Sequence, residues 1–290
     1  MQISAGAGAT LLSGGLSSAE GGERIVLIAD THVDADPDRV ANGSALAGNL
    51  RRVVEEVLDT TKSEPIGGVI LNGDCAFMEG LEDDYRTLAH TLEPLQSAGI
   101  PVHLTMGNHD DRVKMLNVMK KRRLENPPVN GKFVSILETR TANWFLLDTL
   151  EIVNRVTGAL GAEQLIWLSK AIGARGDKPA ILVGHHNLQM DMSALTISGL
   201  RDTELFRKVL YAHNHVAAYV FGHTHNWGVE TAREAGPHFV NLPPTAYVFD
   251  RTRPNGWVLA DSSTEGLTVT LHSLDHSHIQ HREAHKLSWR

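Results

Sequence analysis

The sequence has little cysteine, no long apolar run and no excess of basic residues. Among its 290 residues there is one cysteine, Cys75, which excludes an intramolecular disulfide. No apolar run approaches the roughly 18 residues that span a bilayer, so we expect a soluble protein. Basic residues number 27 against 34 acidic ones, and they form one notable cluster, at residues 120–123. The net charge of -7 therefore argues against a nucleic-acid binder that relies on phosphate contacts.

The first 22 residues lack basic side chains altogether. They are rich in Gly, Ala and Ser, with a short apolar stretch at 9–12 and small residues at 17–19, which is typical of an export signal. However, no Lys or Arg precedes Arg24. A flexible tail and a signal remnant both stay open, and with them a cytoplasmic or an exported location. We expect one folded domain over residues 23–275 and a polar tail over 276–290.

From Arg24 the chain alternates between short β-branched runs and amphipathic segments. Runs at residues 24–29, 66–71 and 100–104 predict strands. Segments at 46–58 and 83–98 predict helices, the first of them capped by Ser44. This βαβαβ order predicts parallel strands joined by right-handed crossovers.

The second half of the chain repeats this alternation less regularly. We predict a basic helix at 111–124, a hairpin from 133–137 and 143–147, a helix at 162–174 and a strand at 180–183. A helix at 202–213 and a strand at 217–221 follow. A closing hairpin at 256–261 and 266–274 could offer an edge for a homodimer.

Histidine is abundant, with 16 copies, and several follow predicted strands directly. Five strand-like runs end in side chains that can bind a metal or move a proton: Asp30 and His32, Asp74, Asn108 and His109, His185 and His186, and His223 and His225. In open α/β sheets, ligands bind at the carboxyl ends of the strands. Carboxylate, amide and imidazole ligands without thiolates suit divalent Zn, Mn or Fe. This many ligands fits two ions better than one.

Other histidines have no such pattern around them. His186 beside His185 could contact substrate or form a hydrogen bond behind the ligands. The C-terminal histidines have no carboxylate company and are predicted to lie on a solvated surface; they are His272, His276, His278, His281 and His285.

Together the strand ends resemble a known family. The series Asp30-x-His32, Gly73-Asp74, Gly107-Asn108-His109-Asp110, Gly184-His185 and Gly222-His223-x-His225 resembles the signature of the calcineurin-like metallophosphoesterase superfamily. Residues 107–112 also resemble the bacterial branch that contains class III cyclic nucleotide phosphodiesterases and glycerophosphodiesterases. Many members of that branch have prolines after their paired histidines, whereas this chain has Asn187 and Leu188. The substrate pocket beside His185 is therefore expected to differ.

This resemblance implies a four-layer α/β/β/α sandwich of two mixed sheets, with a site for two divalent metal ions at the strand ends. It implies one ion held by Asp30, His32 and His225, a second held by Asn108, His185 and His223, and Asp74 between them. His109 would face the substrate, stabilise charge and protonate the leaving oxygen, and Asp110 would orient His109 or another histidine. Two cations would lower the pKa of a bridging water, so that hydroxide is available to attack phosphorus.

The expected function is hydrolysis of a small phosphodiester, favoured by the match over residues 107–112. A phosphomonoesterase is the runner-up, and a nuclease comes third because of the acidic charge balance. From a different class, the protein could be a non-catalytic scaffold on the same fold. Such a scaffold would have lost ligands, and none is missing here.

Overall fold

The computed structural model describes residues 23–119, 127–191, 193, 197–232 and 236–289. The tail predicted over residues 1–22 and the basic cluster at 120–123 lie outside these residues. Within the described part of the chain, no helix combines the length and the apolar character needed to cross a membrane.

The first half of the chain has the predicted order of strands and helices. Its elements are β1 (Glu23–Ile28), β2 (Val40–Ala41), β3 (Ser44–Ala45), α1 (Leu46–Thr61), β4 (Gly68–Asn72), α2 (Glu82–Ser97), β5 (Val102–Thr105) and α3 (Arg112–Val118). β1, β4 and β5 are parallel neighbours, which confirms the βαβαβ prediction. The predicted cap of α1 is wrong: Ser44 pairs with Ala41 in the small β2–β3 ladder, and Ala45 precedes the helix.

The second half of the chain builds the other sheet and completes the first. Its elements are β6 (Ser135–Glu138), β7 (Asn143–Leu146), α4 (Ala162–Gly173), β8 (Ala180–Val183), α5 (Thr203–Ala212), β9 (Val216–Phe221), β10 (Gly228–Glu230), β11 (His238–Asn241), β12 (Gly256–Ser262), β13 (Gly266–Ser273) and β14 (Ala284–Ser288). Both predicted hairpins are confirmed, because β6 pairs antiparallel with β7 and β12 with β13. Strands β10, β11 and β14 were not predicted, since they are short and partly exposed.

Two six-stranded mixed sheets form the centre of the molecule. Their strand orders are β14-β13-β12-β1-β4-β5 and β10-β11-β9-β8-β7-β6. Side chains such as Leu27 and Trp144 fill the space between the sheets. Alternate residues point the other way: Val26 packs in the core that includes α1 and α2, and Phe145 in the core that includes α4 and α5. The fold is therefore the predicted four-layer α/β/β/α sandwich.

The closing hairpin lies inside its sheet. β12 pairs with β1, and β13 is covered by β14. The edge predicted for a homodimer is therefore not free at this hairpin, and the edge strands of this sheet are β14 and β5. The domain boundary at residue 275 stays a prediction, although β14 pairs within the sheet beyond that residue.

One of the C-terminal histidines is less exposed than predicted. His272 is only 3% exposed, and its ring packs on Trp257 with the centroids 3.8 Å apart and the planes inclined by 33°. His276 and His281 stack on each other at 4.6 Å. The prediction of a solvated surface is wrong for His272, because β13 turns this side chain inward.

Candidate metal centre

The loops that follow β1, β4, β5, β8 and β9 meet at one end of the sandwich. There the predicted side chains converge in three overlapping groups, each with its ligand atoms within 4.8 Å of one another: Asp30, His32 and His225; His32, Asp74 and His109; Asp74, His185 and His223. The first sheet supplies the carboxylates, and strands of both sheets supply the imidazoles. The structure thus brings together residues that lie far apart in the sequence.

In the first group two imidazoles lie unusually close. Nε2 of His32 is 3.0 Å from Nε2 of His225, which in turn is 3.6 Å from Oδ1 of Asp30. Two neutral imidazole nitrogens can approach this closely only if one donates a proton to the other or if both point at a cation. The carboxylate of Asp30 beside them favours positive charge here.

Asp74 lies between the two sides of the site. Its Oδ2 is 3.3 Å from Nε2 of His185 and 3.9 Å from Nε2 of His32. His185 Nε2 is also 3.9 Å from Oδ1 of Asp30. The carboxylate of Asp74 is therefore the group that can reach toward both sets of ligands.

The buried charges in the site shift one another's pKa values. Burial disfavours a charged His185, but the carboxylates of Asp74 and Asp30 outweigh it and raise the pKa of this imidazole to about 9. Burial would raise the pKa of Asp74, yet His185 beside it holds this pKa well below its usual range. The carboxylates thus attract whatever positive charge the site can hold, whether proton or metal ion.

Three of the histidines are oriented by a hydrogen bond from the outer ring nitrogen, which is the one that faces away from the centre of the site. Each nitrogen donates to a backbone carbonyl: Nδ1 of His185 to Asn72 at 2.9 Å, Nδ1 of His225 to Tyr247 at 2.7 Å, and Nε2 of His223 to Ser198 at 2.9 Å. Such a bond fixes the tautomer and the ring orientation of a metal-binding histidine. The remaining nitrogen of each ring faces the centre, where it can bind a metal ion that takes the place of a proton.

Two predicted ligand atoms have no hydrogen-bond partner among the described residues. They are Oδ1 of Asn108 and Nε2 of His185, and both are buried; Nε2 of His185 has only longer ion-pair contacts, the shortest of them with Oδ2 of Asp74 at 3.3 Å. A buried polar atom left unpaired costs about 1–3 kcal/mol. A divalent cation would satisfy both atoms, so this donor set fits the metal that the sequence predicts.

The backbone of the site is strained. Five predicted ligands have a left-handed conformation, with φ of 52° at Asp30, 43° at His32, 46° at Asp74, 68° at His223 and 52° at His225. Each costs a non-glycine residue about 1–3 kcal/mol, and such strain clusters at functional sites. The loops persist because they are cross-linked; for example, the N–H of His32 donates to the carbonyl of Asp74 at 2.9 Å.

Two glycines let these loops approach one another. A Cβ on Gly107 would lie 2.2 Å from both the backbone N and Oδ1 of Asp74, and a Cβ on Gly222 would lie 2.5 Å from Oδ2 of Asp30. A larger residue would require the backbone at Asp74 to move in the first case and the carboxylate of Asp30 to move in the second. The glycines that precede Asn108 and His223 in the sequence are thus required by close packing around the acidic groups.

His109 is placed at the edge of the site. Its backbone N–H donates to Oδ1 of Asp74 at 2.8 Å, and its Nδ1 donates to the carbonyl of Met78 at 2.7 Å. Its ring lines the open cleft above the ligands. Because Nδ1 is engaged, Nε2 is the nitrogen that can act on a substrate.

Asp110 does not orient His109 as we expected. Its carboxylate accepts from the backbone N–H groups of Gly107 at 2.9 Å, Cys75 at 3.1 Å and Ala76 at 3.2 Å. Burial, reinforced by the charge of Asp74, raises the pKa of Asp110 to about 7. Asp110 thus joins the loop after β4 to the loop after β5, and Met78 holds the ring of His109.

His186 is buried behind the ligands. Its Nδ1 lies 2.7 Å from Oγ1 of Thr149, and its ring centroid is 4.6 Å from that of His223. Of the two alternatives from the sequence, the hydrogen bond behind the ligands is therefore the one observed. Asp148, which follows β7, is also buried, and it pairs with Nε of Arg112 at 2.5 Å.

Above the ligands the site opens into a cleft of about 510 Å³. Its floor includes the predicted ligands His32, Asn108, His223 and His225. Its walls include Asn154, Val156, Asn187, Tyr247 and Phe249, and none of the described residues that line it is Lys or Arg. These walls could not be predicted from the sequence, because they follow no strand motif and Tyr247 holds His225 through its backbone carbonyl.

The sequence is similar to those of known phosphoesterases. A family model described as calcineurin-like phosphoesterase matches residues 23–227. The chain is 27% identical to the 3′,5′-cyclic adenosine monophosphate phosphodiesterase CpdA of Pseudomonas aeruginosa, over 77% of this chain and 76% of that protein. It is 29% identical to a cAMP/cGMP dual specificity phosphodiesterase of Mycobacterium tuberculosis, over 83% of this chain and 73% of that protein.

A solved structure supports the fold. A dimetal phosphatase from Danio rerio superimposes with a TM-score of 0.70, over 93% of this chain and 100% of that chain. Sequence identity is 16%, so the likeness concerns the fold alone.

Proposed function

Since the chain belongs to the calcineurin-like phosphoesterase family, we propose that it hydrolyses a small phosphodiester, of the cyclic nucleotide type, at a centre of two divalent ions. The family and the related enzymes make the protein a metal-dependent phosphoesterase. The nature of the ester and the roles of individual residues are the proposal.

The charge of the cleft favours a phosphodiester over a phosphomonoester as the substrate. A phosphomonoester has a second ionisation near pH 6 and approaches two negative charges at neutral pH, whereas a phosphodiester has one. Among the described residues that line the cleft, no Lys or Arg is available for a second charge. The open cleft of about 510 Å³ also leaves room for the two substituents of a diester. The names of the two relatives support the cyclic nucleotide type.

We assign the ligands in two sets. Asp30, His32 and His225 hold one ion, Asn108, His185 and His223 hold the other, and Asp74 lies between them, as its distances to His32 and His185 allow. Two divalent ions supply, when bound, positive charge for the phosphoryl oxygens and a lowered pKa for a water molecule. The donor set suits Mn, Fe or Zn.

In this proposal His109 acts in its doubly protonated form and gives the proton on Nε2 to the leaving oxygen. Its ring lines the cleft, and its bond to Met78 presents Nε2 to a bound ester. A positioned acid of this kind contributes about 10²–10⁴-fold to the rate. Asp110 acts only indirectly, by joining the loops that carry Asp74 and Asn108.

Rates on matched esters test the proposal. The protein would be stripped of metal, reloaded with Mn²⁺ or Zn²⁺, and assayed on bis(4-nitrophenyl) phosphate and on 4-nitrophenyl phosphate. We expect metal-dependent turnover with a clear preference for the diester, followed by activity on a cyclic nucleotide. Preference for the monoester would replace the proposal with a phosphatase. Two bound ions without turnover of either ester would support the non-catalytic scaffold.

A further inference from the structure

We propose that Phe249 and Val156 form a clamp for a planar ring on the substrate, and that this ring is a nucleobase. Both side chains are apolar and line the cleft, and they are 72% and 47% exposed. The inference rests on the proposed phosphodiesterase function and specifies which substituent of the ester the protein recognises. It assigns specificity to residues outside the ligand motifs.

Phe249 extends a wall of rings that begins at the ligands. Its centroid lies 4.6 Å from that of His225, with the planes inclined by 31°. Tyr247 packs on both ligands, at 4.7 Å from His225 and 5.2 Å from His32, and lies 5.7 Å from Phe249. A substituent on a phosphate held beside His225 would therefore meet Phe249 next along this wall.

Both sides of the clamp are attached to the ligand loops. On one side, Nδ1 of His225 donates to the carbonyl of Tyr247 at 2.7 Å, and the N–H of Ala246 donates to the carbonyl of Asp30 at 3.0 Å. On the other side, the N–H of Asn154, two residues before Val156, donates to the carbonyl of Asn108 at 2.6 Å. The backbone two or three residues before Phe249 and Val156 is thus bonded to the ligand loops, and such preorganisation favours binding.

The chemistry of the clamp selects a flat aromatic group. An exposed phenyl ring offers a face on which a base can stack, and stacking of this kind tolerates any base. A glycerol substituent has no apolar face to cover Phe249 or Val156. Polar side chains for the edge of a base are also present, because Asn154, Asn187 and Thr224 line the same cleft.

A neighbouring cavity is the alternative place where a base could bind instead of the proposed clamp. It has about 520 Å³, shares Asn187 and Thr224 with the cleft, and includes Tyr211, which is 47% exposed. None of the predicted ligands lines it. Tyr211→Ala therefore removes an exposed aromatic ring of the second cavity and leaves the ligands and the proposed clamp intact.

The test compares two ligands that differ only in the base. Adenosine 5′-monophosphate and ribose 5-phosphate would be measured by calorimetry on the Mn²⁺-loaded protein, and as inhibitors of bis(4-nitrophenyl) phosphate hydrolysis. We expect the base to improve affinity about tenfold, which corresponds to about 1.4 kcal/mol. Phe249→Ala should abolish this advantage, whereas Phe249→Trp and Tyr211→Ala should keep it. Ribose 5-phosphate should bind all variants equally.

Three results would overturn the clamp: equal affinity of both ligands for the wild-type protein, an advantage that survives in Phe249→Ala, or an advantage lost in Tyr211→Ala instead. Turnover of the diester without a base advantage would refute the clamp alone. A base advantage without turnover would refute the phosphodiesterase proposal and leave the clamp standing. Thermal unfolding of each variant verifies that the fold is intact.

Discussion

Two clusters of histidines in the described part of the chain differ in the acidic groups around them. The cleft cluster consists of His32, His185, His223 and His225, and the C-terminal cluster of His272, His276 and His281. In the cleft cluster, Asp30 and Asp74 lie among the rings with no Lys or Arg paired to them in the described structure. In the C-terminal cluster, the carboxylate of Glu56 accepts hydrogen bonds from the indole N–H of Trp257 at 2.8 Å and from Nε2 of His276 at 3.1 Å.

The two clusters also use their ring nitrogens differently. In the cleft cluster, backbone carbonyls hold the outer nitrogens of His185, His223 and His225. In the C-terminal cluster, Nε2 of His272 accepts from the guanidinium of Arg282 at 3.1 Å. A nitrogen that faces a cation already cannot bind another. The comparison shows that shared carboxylates and outer carbonyl bonds, rather than the number of histidines, distinguish a candidate metal site.

Removing the central carboxylate should have the largest effect. Asp74→Asn keeps the shape of the side chain but removes the charge that lies between both ligand sets. We expect loss of bound metal and a fall in kcat of about 10³-fold, since bound metals contribute several kcal/mol to such reactions. Metal content by mass spectrometry and kcat would be measured together. Glu56→Gln, in the C-terminal cluster, is the matched control and should keep both; an active, metal-replete Asp74→Asn would contradict the assignment.

Removing the proposed proton donor should separate catalysis from metal binding. His109→Ala should retain both ions, because His109 belongs to neither ligand set, and should lower kcat by about 10²–10⁴-fold. The loss should be smaller for esters with a good leaving group such as 4-nitrophenolate, which needs no proton. Full activity on a poor leaving group would remove His109 from the mechanism.

Crowding the acidic loop should weaken metal binding without removing a ligand. The Cβ in Gly107→Ala would lie 2.2 Å from both the backbone N and Oδ1 of Asp74, so the loop that carries Asp74 must shift together with its carboxylate. We expect metal affinity to fall about 10–100-fold, the usual effect of disturbing the groups that orient ligands. Gly228→Ala is the control, because a Cβ there meets nothing within 4 Å. Equal metal affinity in the two variants would argue against this packing role.

The C-terminal cluster should affect stability in acid and leave activity unchanged. Burial, together with the charge of Arg282, lowers the pKa of His272 to about 3, well below its value of about 6.5 in an unfolded chain. The unfolded state therefore binds a proton first, and the free energy of unfolding should fall as the pH drops below about 6.5. His272→Phe, which keeps a ring against Trp257, should remove about 2 kcal/mol of this loss between pH 6.5 and 4.5. Urea unfolding at each pH, with exposed His90→Gln as control, would measure it; an unchanged pH dependence would contradict the buried, neutral His272.

The strands that carry the ligands could be predicted from the sequence because local signals agree there. The run before Asp30 is apolar and β-branched, and the glycines before Asp74, Asn108, His185 and His223 mark abrupt strand ends. Strands β10, β11 and β14 could not be predicted from the sequence, because each gains its stability from a neighbouring strand rather than from its own apolar run. The Ser44 cap failed for a related reason, because tertiary pairing of β2 with β3 takes precedence over a local capping signal.

The residues that orient the ligands could not be predicted from the sequence, for another reason. Ser198, Met78 and Tyr247 act through backbone carbonyls, which every residue has, so residue type carries no signal. Asp110 was predicted from its neighbour His109, but the carboxylate turns toward the N–H groups of Cys75 and Gly107. Sequence motifs thus indicated the ligands, and only the fold shows what orients them.

Anomalous scattering from crystals loaded with Mn²⁺ would show directly whether the cleft binds two ions. We expect two peaks in the cleft, one beside His225 and one beside His185, with Asp74 in contact with both ions and no peak at the C-terminal cluster. A single ion in the cleft, or manganese bound among His272, His276 and His281 instead, would contradict this expectation.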